Sequence, residues 1–454
     1  MKENQKRGVF SGKLGYVLAA SGSAVGLGNI WRFPYLAAKY GGGMFLLVYI
    51  ILAITFGYTM IMSETALGRM TGKSPVGAFS AFSKGKLVRA GGWINAVIPM
   101  LIVPYYSVIG GWVCRYLVGY FMGQTKILAD EETFTSFLSA PATMEICFLV
   151  FAVLTMLVIF GGVENGIEKV SRIMMPILAV LTLVIVCYSV TRSGAMAGVK
   201  YFLIPNFKNF SLMTVVSALG QMFYSLSIAM GILITYGSYT KKDVDIESTT
   251  TQVEIFDTAI AILAGLMIIP AVFAFSGGDA DALNKGPSLM FITLPKVFAS
   301  MGGSFFGILF FLLVLLAALT SSVSLAESAC STFEDELHWS RPKAAGLVSA
   351  IMIVLGTLSC LGFNLLSGVA PLGMDLLSFF DFLTNSVMMP IAAAATCLLI
   401  LRVVGLDRME EEISRTSSFK RKGIYRFVIK YLSIILLAAI LISSIGDALG
   451  LIHI

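Results

Sequence analysis

Apolar residues run along this chain in long uninterrupted stretches, so most positions that would face water in a soluble amphipathic helix are apolar too. A bilayer core about 30 Å thick is crossed by about 17 to 25 such residues in a helix. Eleven stretches qualify: 14–38, 44–67, 92–122, 144–160, 167–190, 212–239, 256–276, 303–333, 344–362, 372–401 and 427–448. They are called spans 1 to 11. The pattern predicts an all-α polytopic membrane protein of about eleven transmembrane helices, a single membrane domain with a short cytoplasmic segment at 1–13. No small-residue cleavage site precedes Arg32-Phe33-Pro34, so the first apolar run is read as a span and not as a removed signal peptide.

Two spans are interrupted, five helices apart. Span 1 contains Ser21-Gly22-Ser23-Ala24-Val25-Gly26-Leu27-Gly28-Asn29, and span 6 runs Gly220-Gln221-Met222-Phe223-Tyr224-Ser225-Leu226-Ser227-Ile228-Ala229-Met230-Gly231. Glycines and small hydroxyl residues at mid-membrane weaken a helix and free its carbonyls and amides, which lipid tolerates only where they line a cavity or bind something. Paired interruptions point to a five-plus-five inverted repeat, here 14–190 and 212–401 with 427–448 as an extra helix, and to a site near the bilayer midplane.

Composition agrees: 57% of residues are hydrophobic, 13% charged, and the mean hydropathy is +0.87. The basic residues sort by loop parity. Lys2, Lys6, Arg7 and Lys13 lie on one side with Arg69, Lys73, Lys84, Lys86, Arg89, Lys241, Lys242, Arg341, Lys343 and the cluster from Arg415 to Arg426. Asp130, Glu131 and Glu132 lie on the other, with Lys200 and Lys208 as exceptions. The positive-inside rule makes the N-terminus cytoplasmic in a cell inner (plasma) membrane, and an odd span count puts the C-terminus outside. The net charge of +6 follows from this topology and calls for no nucleic-acid partner. The six cysteines are scattered singly in apolar stretches and read as small core residues.

The chemistry concentrates in the interruptions. A sodium ion takes about five or six oxygens; a broken helix supplies carbonyls, and Asn29 an amide oxygen. Thr320 and Ser321 in span 8 offer hydroxyls, although membrane Ser and Thr commonly bond their own helix, and Gly22 with Gly26 also fits a helix-packing GxxxG pair. Asp257 is read at the start of span 7, either as a functional intramembrane acid or as a solvated residue at the cytoplasmic mouth. Glu64 and Glu327 are further acids within spans, suited to satisfying freed amides of the broken helices.

The string Gly22-Ser23-Ala24-Val25-Gly26-Leu27-Gly28-Asn29-Ile30-Trp31-Arg32-Phe33-Pro34-Tyr35, followed by Gly41-Gly42-Gly43, resembles the signature of the neurotransmitter:sodium symporters. Glu64 to Arg69, Tyr105-Tyr106, Gln221 to Ser227, Ile234 to Tyr239, Leu319 to Ser322 and Phe333 to Leu337 continue it in order. The resemblance implies a bacterial-type amino-acid transporter with the LeuT-type fold, coupled to two sodium ions. The first ion would be held by Ala24, Asn29, Ser225, Asp257 and the substrate carboxylate, the second by Gly22, Val25, Ala317, Thr320 and Ser321. The substrate carboxylate would meet the amides at Leu27 and Gly28 and the Tyr106 hydroxyl. Its amine would meet carbonyls near Ala24, Tyr224 and Ser227, and Ile102, Tyr224, Met230, Ser321 and Leu325 would shape its side-chain room. Met230 stands where some relatives carry phenylalanine, which favours a bulky hydrophobic or aromatic amino acid.

The same resemblance implies an outer gate of Arg32 with Asp381, or Asp375 in its place, and an inner gate of Arg7 with Asp335 beside Phe10 and Tyr239. Animal members require chloride near the equivalents of Tyr49, Gln221 and Ser225; Asp257 would supply that charge here, implying chloride-independent transport by a monomer or weak dimer in lipid. Other classes fit worse. Serine-type intramembrane proteolysis lacks a membrane histidine, since His338 and His453 lie in a loop and at the terminus, and the Gly26-Leu27-Gly28 run leads to Asn29 and not to an aspartate. Gly72-Lys73-Ser74 lacks the first glycine of a phosphate loop, Leu67 standing there. A channel would repeat a filter about an axis.

Overall fold

The computed structural model describes residues 8–277, 288–300 and 303–448. Arg7 and the end of the chain at 449–454, with the expectations placed on them, lie outside these residues.

Nine helices among the described residues are long and apolar enough to cross a bilayer: Gly43–Thr71, Lys86–Phe121, Pro141–Phe160, Val163–Val190, Ile246–Ser276, Ser304–Leu337, Arg341–Leu361, Leu376–Val404 and Lys422–Ser443. They are spans 2 to 5 and 7 to 11. Spans 1 and 6 are missing from that set because neither is continuous. Span 1 is helical over Lys13–Ala24 and resumes as a π-helical turn at Gly28–Arg32 leading into Phe33–Lys39. Span 6 is helical over Leu212–Ser225 and again over Ile232–Ser238. Gly220 lies inside the first of these helices, so the real interruption is shorter than the sequence suggested and runs over 226–231.

Two other boundaries move. Span 3 begins at Lys86, before residue 92. Span 7 begins at Ile246, ten residues ahead of its apolar stretch, with Asp245 accepting from the Ser248 amide (3.0 Å) as its cap. Its first turns carry Glu247 and Glu254, which ended the apolar pattern. Both are buried under the 10–11 connection, where Arg421 pairs with Glu254 (3.0 Å) and Glu247 accepts from the Tyr58 hydroxyl.

Burial separates scaffold from shell. In the most apolar stretch of spans 3 and 8, 83% and 67% of residues are buried, against 39% for spans 4 and 9 and 33% for spans 5 and 11. The latter expose rows such as Ile146, Val150, Val153 and Leu157, the surface a helix presents to lipid. Span 1 therefore packs against spans 7 and 8 inside a ring of neighbours, and its break is enclosed by protein.

Span 2 and the inner half of span 6 meet backbone to backbone. A β-carbon on Gly68 would lie 2.0 Å from the Ile234 carbonyl oxygen, and one on Gly237 would lie 2.3 Å from that of Thr65. Neither backbone can yield cheaply. Gly68→Val is expected to cost about 1–3 kcal/mol through overpacking, read as a lower thermal midpoint in detergent by fluorimetry; an unchanged midpoint would contradict this contact.

Candidate functional site

Several backbone groups freed at the span 1 break have side-chain partners. Helix Lys13–Ala24 ends as Val25 turns extended. The Gly26 amide donates to Asn29 Oδ1 (3.2 Å) and the Leu27 amide to the Tyr106 hydroxyl (3.1 Å). Gln221 Nε2 donates to the Gly28 carbonyl (2.8 Å), tying span 6 to span 1. Gly26 is required by proximity: a β-carbon there would stand 2.5 Å from Ser321 Oγ and 2.8 Å from the Tyr106 hydroxyl.

In the span 6 break, Ser227 (φ 54°) and Ala229 (φ 60°) adopt left-handed backbone. Two such non-glycine residues within three positions mark strain held in place by surrounding contacts. Glu64 supplies one contact, its Oε1 accepting from the Ala229 amide (2.9 Å). Ser227 Oγ donates to the Ser23 carbonyl (3.0 Å) and joins the two breaks. The expectation for Glu64 therefore holds. Glu327 does something else: it is fully buried and pairs with Arg341 (2.5 Å) while accepting from the Tyr239 hydroxyl (2.7 Å). Arg341 arrives from span 9, a long-range pairing that local sequence does not signal.

Between the breaks lies a narrow pocket lined by Ser23, Ala24, Gly26, Gly28, Ile102, Tyr106, Tyr224, Ser227, Met230, Ile232, Ser321 and Leu325. It mixes apolar walls with few polar groups, as small-molecule sites usually do. Of the ten residues expected here only Leu27 is off the wall; it takes part through its amide. Ser23, Gly26 and Ile232 were not assigned to the wall. The first two lie within the motif itself, whereas Ile232 is brought in by the turn at Gly231.

Beside the pocket, Asp257 is fully buried, eleven residues into its helix, which excludes a place at the cytoplasmic mouth. Its Oδ1 accepts from Asn29 Nδ2 (2.7 Å) and Ser225 Oγ (2.9 Å), and its Oδ2 from the Tyr49 hydroxyl (3.1 Å). On the other side of span 1, Ser321 Oγ stands 3.4 Å from the Gly22 and Val25 carbonyls and 3.1 Å from that of Ser23, and Thr320 Oγ1 donates to the Ala317 carbonyl (3.1 Å). One cluster carries a carboxylate; the other consists of neutral oxygens. Both offer hard oxygen donors of the kind alkali cations take.

The two faces of the membrane differ. On one side Phe10 is buried, donates its amide to the Tyr239 carbonyl (3.1 Å), and sets its ring edge-on to Tyr236 and Tyr239. Asp335 accepts from the Ser74 amide (2.6 Å). On the other side a vestibule of about 770 Å³, open to solvent, is bounded by Trp31, Arg32, Tyr35, Ile109, Tyr224, Leu377, Ser378 and Asp381. No ion pair joins Arg32 to Asp381 here; Arg32 lies 5.3 Å from the centre of the Tyr224 ring. Asp375 caps the helix Leu376–Asp381 through the Ser378 amide, which leaves Asp381 as the carboxylate facing Arg32.

A model of the sodium:neurotransmitter symporter family matches residues 7–129 and 120–450. The chain belongs to this family. It is 34% identical over 442 residues to an uncharacterized sodium-dependent transporter of Bacillus subtilis, covering 96% of this chain and 97% of that one. To an uncharacterized sodium-dependent transporter of Haemophilus influenzae it is 32% identical over 457 residues, 97% and 99% of the two chains. The crystal structure of MhsT in complex with L-phenylalanine superposes with a TM-score of 0.88 at 34% identity, covering 96% of this chain and all of that one. This family member is therefore a sodium-dependent transporter of the LeuT type and not an enzyme.

The strained turn in span 6 depends on Glu64. Glu64→Ala would strand the buried Ala229 amide and is expected to cost about 1–3 kcal/mol, whereas Glu64→Gln keeps an acceptor oxygen and should lose less. Thermal unfolding of both variants in detergent checks this, and equal losses would contradict it.

Proposed function

We propose that this symporter carries a bulky hydrophobic or aromatic L-amino acid across the membrane with sodium, by alternating access and without chloride. The observation that carries the reading is the buried Asp257 carboxylate held against Asn29 and Ser225 beside the pocket.

In this reading Ala24, Asn29, Ser225 and Asp257 take the first sodium together with the substrate carboxylate, so neither ligand's site is complete without the other. Coupling is then reciprocal by thermodynamic necessity. The substrate carboxylate lies at Leu27 and Gly28, where amides face the break, with the Tyr106 hydroxyl beside it; an anion is favoured at the start of a half-helix. The amine meets carbonyls near Ala24, Tyr224 and Ser227. Ile102, Tyr224, Met230, Ser321 and Leu325 receive the side chain, and the adaptable thioether of Met230 suits an aromatic ring.

The second sodium lies among the carbonyls of Gly22, Val25 and Ala317 and the hydroxyls of Thr320 and Ser321. Those hydroxyls now donate to carbonyls, and an ion would turn their lone pairs inward. Such an ion ties span 1 to span 8 and so biases which way the bundle faces. Asp257 also supplies the fixed negative charge for which animal members are expected to use chloride.

Access then alternates between the outer vestibule, closed by Arg32 on Asp381, and a cytoplasmic opening that requires Phe10 and Tyr239 to part. Arg7 and Asp335 belong to the same inner gate. Spans 1 and 6 would move against spans 3 and 8 about the two breaks.

Uptake of labelled tryptophan, tyrosine and leucine into proteoliposomes tests the scheme, with sodium or potassium outside and with or without chloride. The wild type is expected to accumulate its substrate with sodium and regardless of chloride, and Asn29→Ala to lose this by about tenfold or more. Asp257→Asn is expected to make the remaining uptake chloride-stimulated. Sodium-indifferent uptake by the wild type would overturn the proposal.

A further inference from the structure

Beside Asp381 of the vestibule wall lies a buried polar atom with no hydrogen-bond partner. Asn385 follows Asp381 by four residues in span 10, on a π-helical stretch over Phe382–Met388. A π-helical stretch inside a longer helix is frequently found at a functional site. Asn385 Nδ2 donates to Asp381 Oδ1 (2.6 Å) and to the Tyr105 hydroxyl (3.3 Å), while its Oδ1 is enclosed with no partner. Turning the amide over would bring that oxygen against the Asp381 carboxylate, so the orientation follows from the electrostatics of its neighbours. An enclosed acceptor without a donor is costly, and its persistence beside a gate that is open in this structure suggests that the missing donor comes with closure.

We infer that Asn385 is the third member of the outer gate. Its Nδ2 holds Asp381 at the vestibule wall, and its Oδ1 is the acceptor for a second guanidinium N–H when Arg32 swings from Tyr224 onto Asp381. The fork of a guanidinium presents several donors, so one arginine can engage a carboxylate and a neighbouring amide oxygen together. Tyr105 completes the arrangement. Its hydroxyl lies 3.3 Å from Thr384 Oγ1 and steadies Asn385, and Tyr105 adjoins Tyr106 in the wall of the pocket. Occupation of the pocket thus has a short covalent and hydrogen-bonded route to the gate. Asn385 acts through Arg32 and Asp381 and touches neither substrate nor ion, so it is a positioning residue.

This inference rests on the symport reading, and the test keeps the two apart. Ser378→Cys places a thiol on the vestibule wall. Its labelling by a membrane-impermeant maleimide in proteoliposomes, above the background of the native cysteines, is compared in sodium alone and in sodium with L-phenylalanine. Closure should protect the thiol. In Asn385→Ala the protection is expected to weaken about tenfold, the size of one lost charge-assisted hydrogen bond, and Tyr105→Phe should weaken it less. In an Arg32→Ala background, Asn385→Ala should add nothing, because the two act as one unit. Undiminished protection in Asn385→Ala, or an equal effect with and without Arg32, overturns the inference. A Ser378→Cys protein with Arg32 and Asn385 intact that sodium and L-phenylalanine do not protect contradicts the symport reading beneath it.

Discussion

Inside a bilayer every backbone amide and carbonyl must find a partner within the protein, and spans 1 and 6 each break that regularity at mid-depth. The groups this frees are met by side chains drawn from other helices: Tyr106 on the Leu27 amide, Gln221 on the Gly28 carbonyl, and Glu64 on the Ala229 amide. The same breaks create the pocket and its oxygen-rich margins. On the proposed function, structural cost and transport chemistry reside in the same few residues, with the scaffold of spans 3 and 8 holding them in register.

That economy accounts for the contrast between the two faces. One face is closed by aromatic packing of Phe10 and by the Glu327–Arg341 pair, in which removing Arg341 would leave the buried Glu327 carboxylate uncompensated. On the opposite face Tyr224 borders both the pocket and the vestibule, and Arg32 rests near its ring without pairing with Asp381. On the reading developed above, this is a conformation prepared to receive substrate from outside.

Much of this was legible in the sequence, because lipid imposes a length rule and a satisfaction rule that read directly from composition. All eleven spans reappear, nine as continuous helices and two broken where glycine and small hydroxyl residues gather. The pocket wall followed from the motif resemblance almost residue by residue. What was misread depended on long-range contacts. Span 7 extends past its apolar stretch because a distant connection covers Glu247 and Glu254, and Glu327 pairs with an arginine from the next span instead of meeting a freed amide of a broken helix. The left-handed turns at Ser227 and Ala229 also left no local trace, since neither residue favours that backbone and only tertiary contacts impose it.

The claim that most of this account depends on is that amino acid and sodium complete each other's site. Equilibrium binding of labelled tryptophan to the purified protein, titrated against sodium at constant ionic strength with potassium as replacement, tests it directly. The account predicts that sodium raises the affinity for tryptophan, and that saturating tryptophan raises the affinity for sodium by the same factor. Tight tryptophan binding that is equal in sodium and potassium would contradict it.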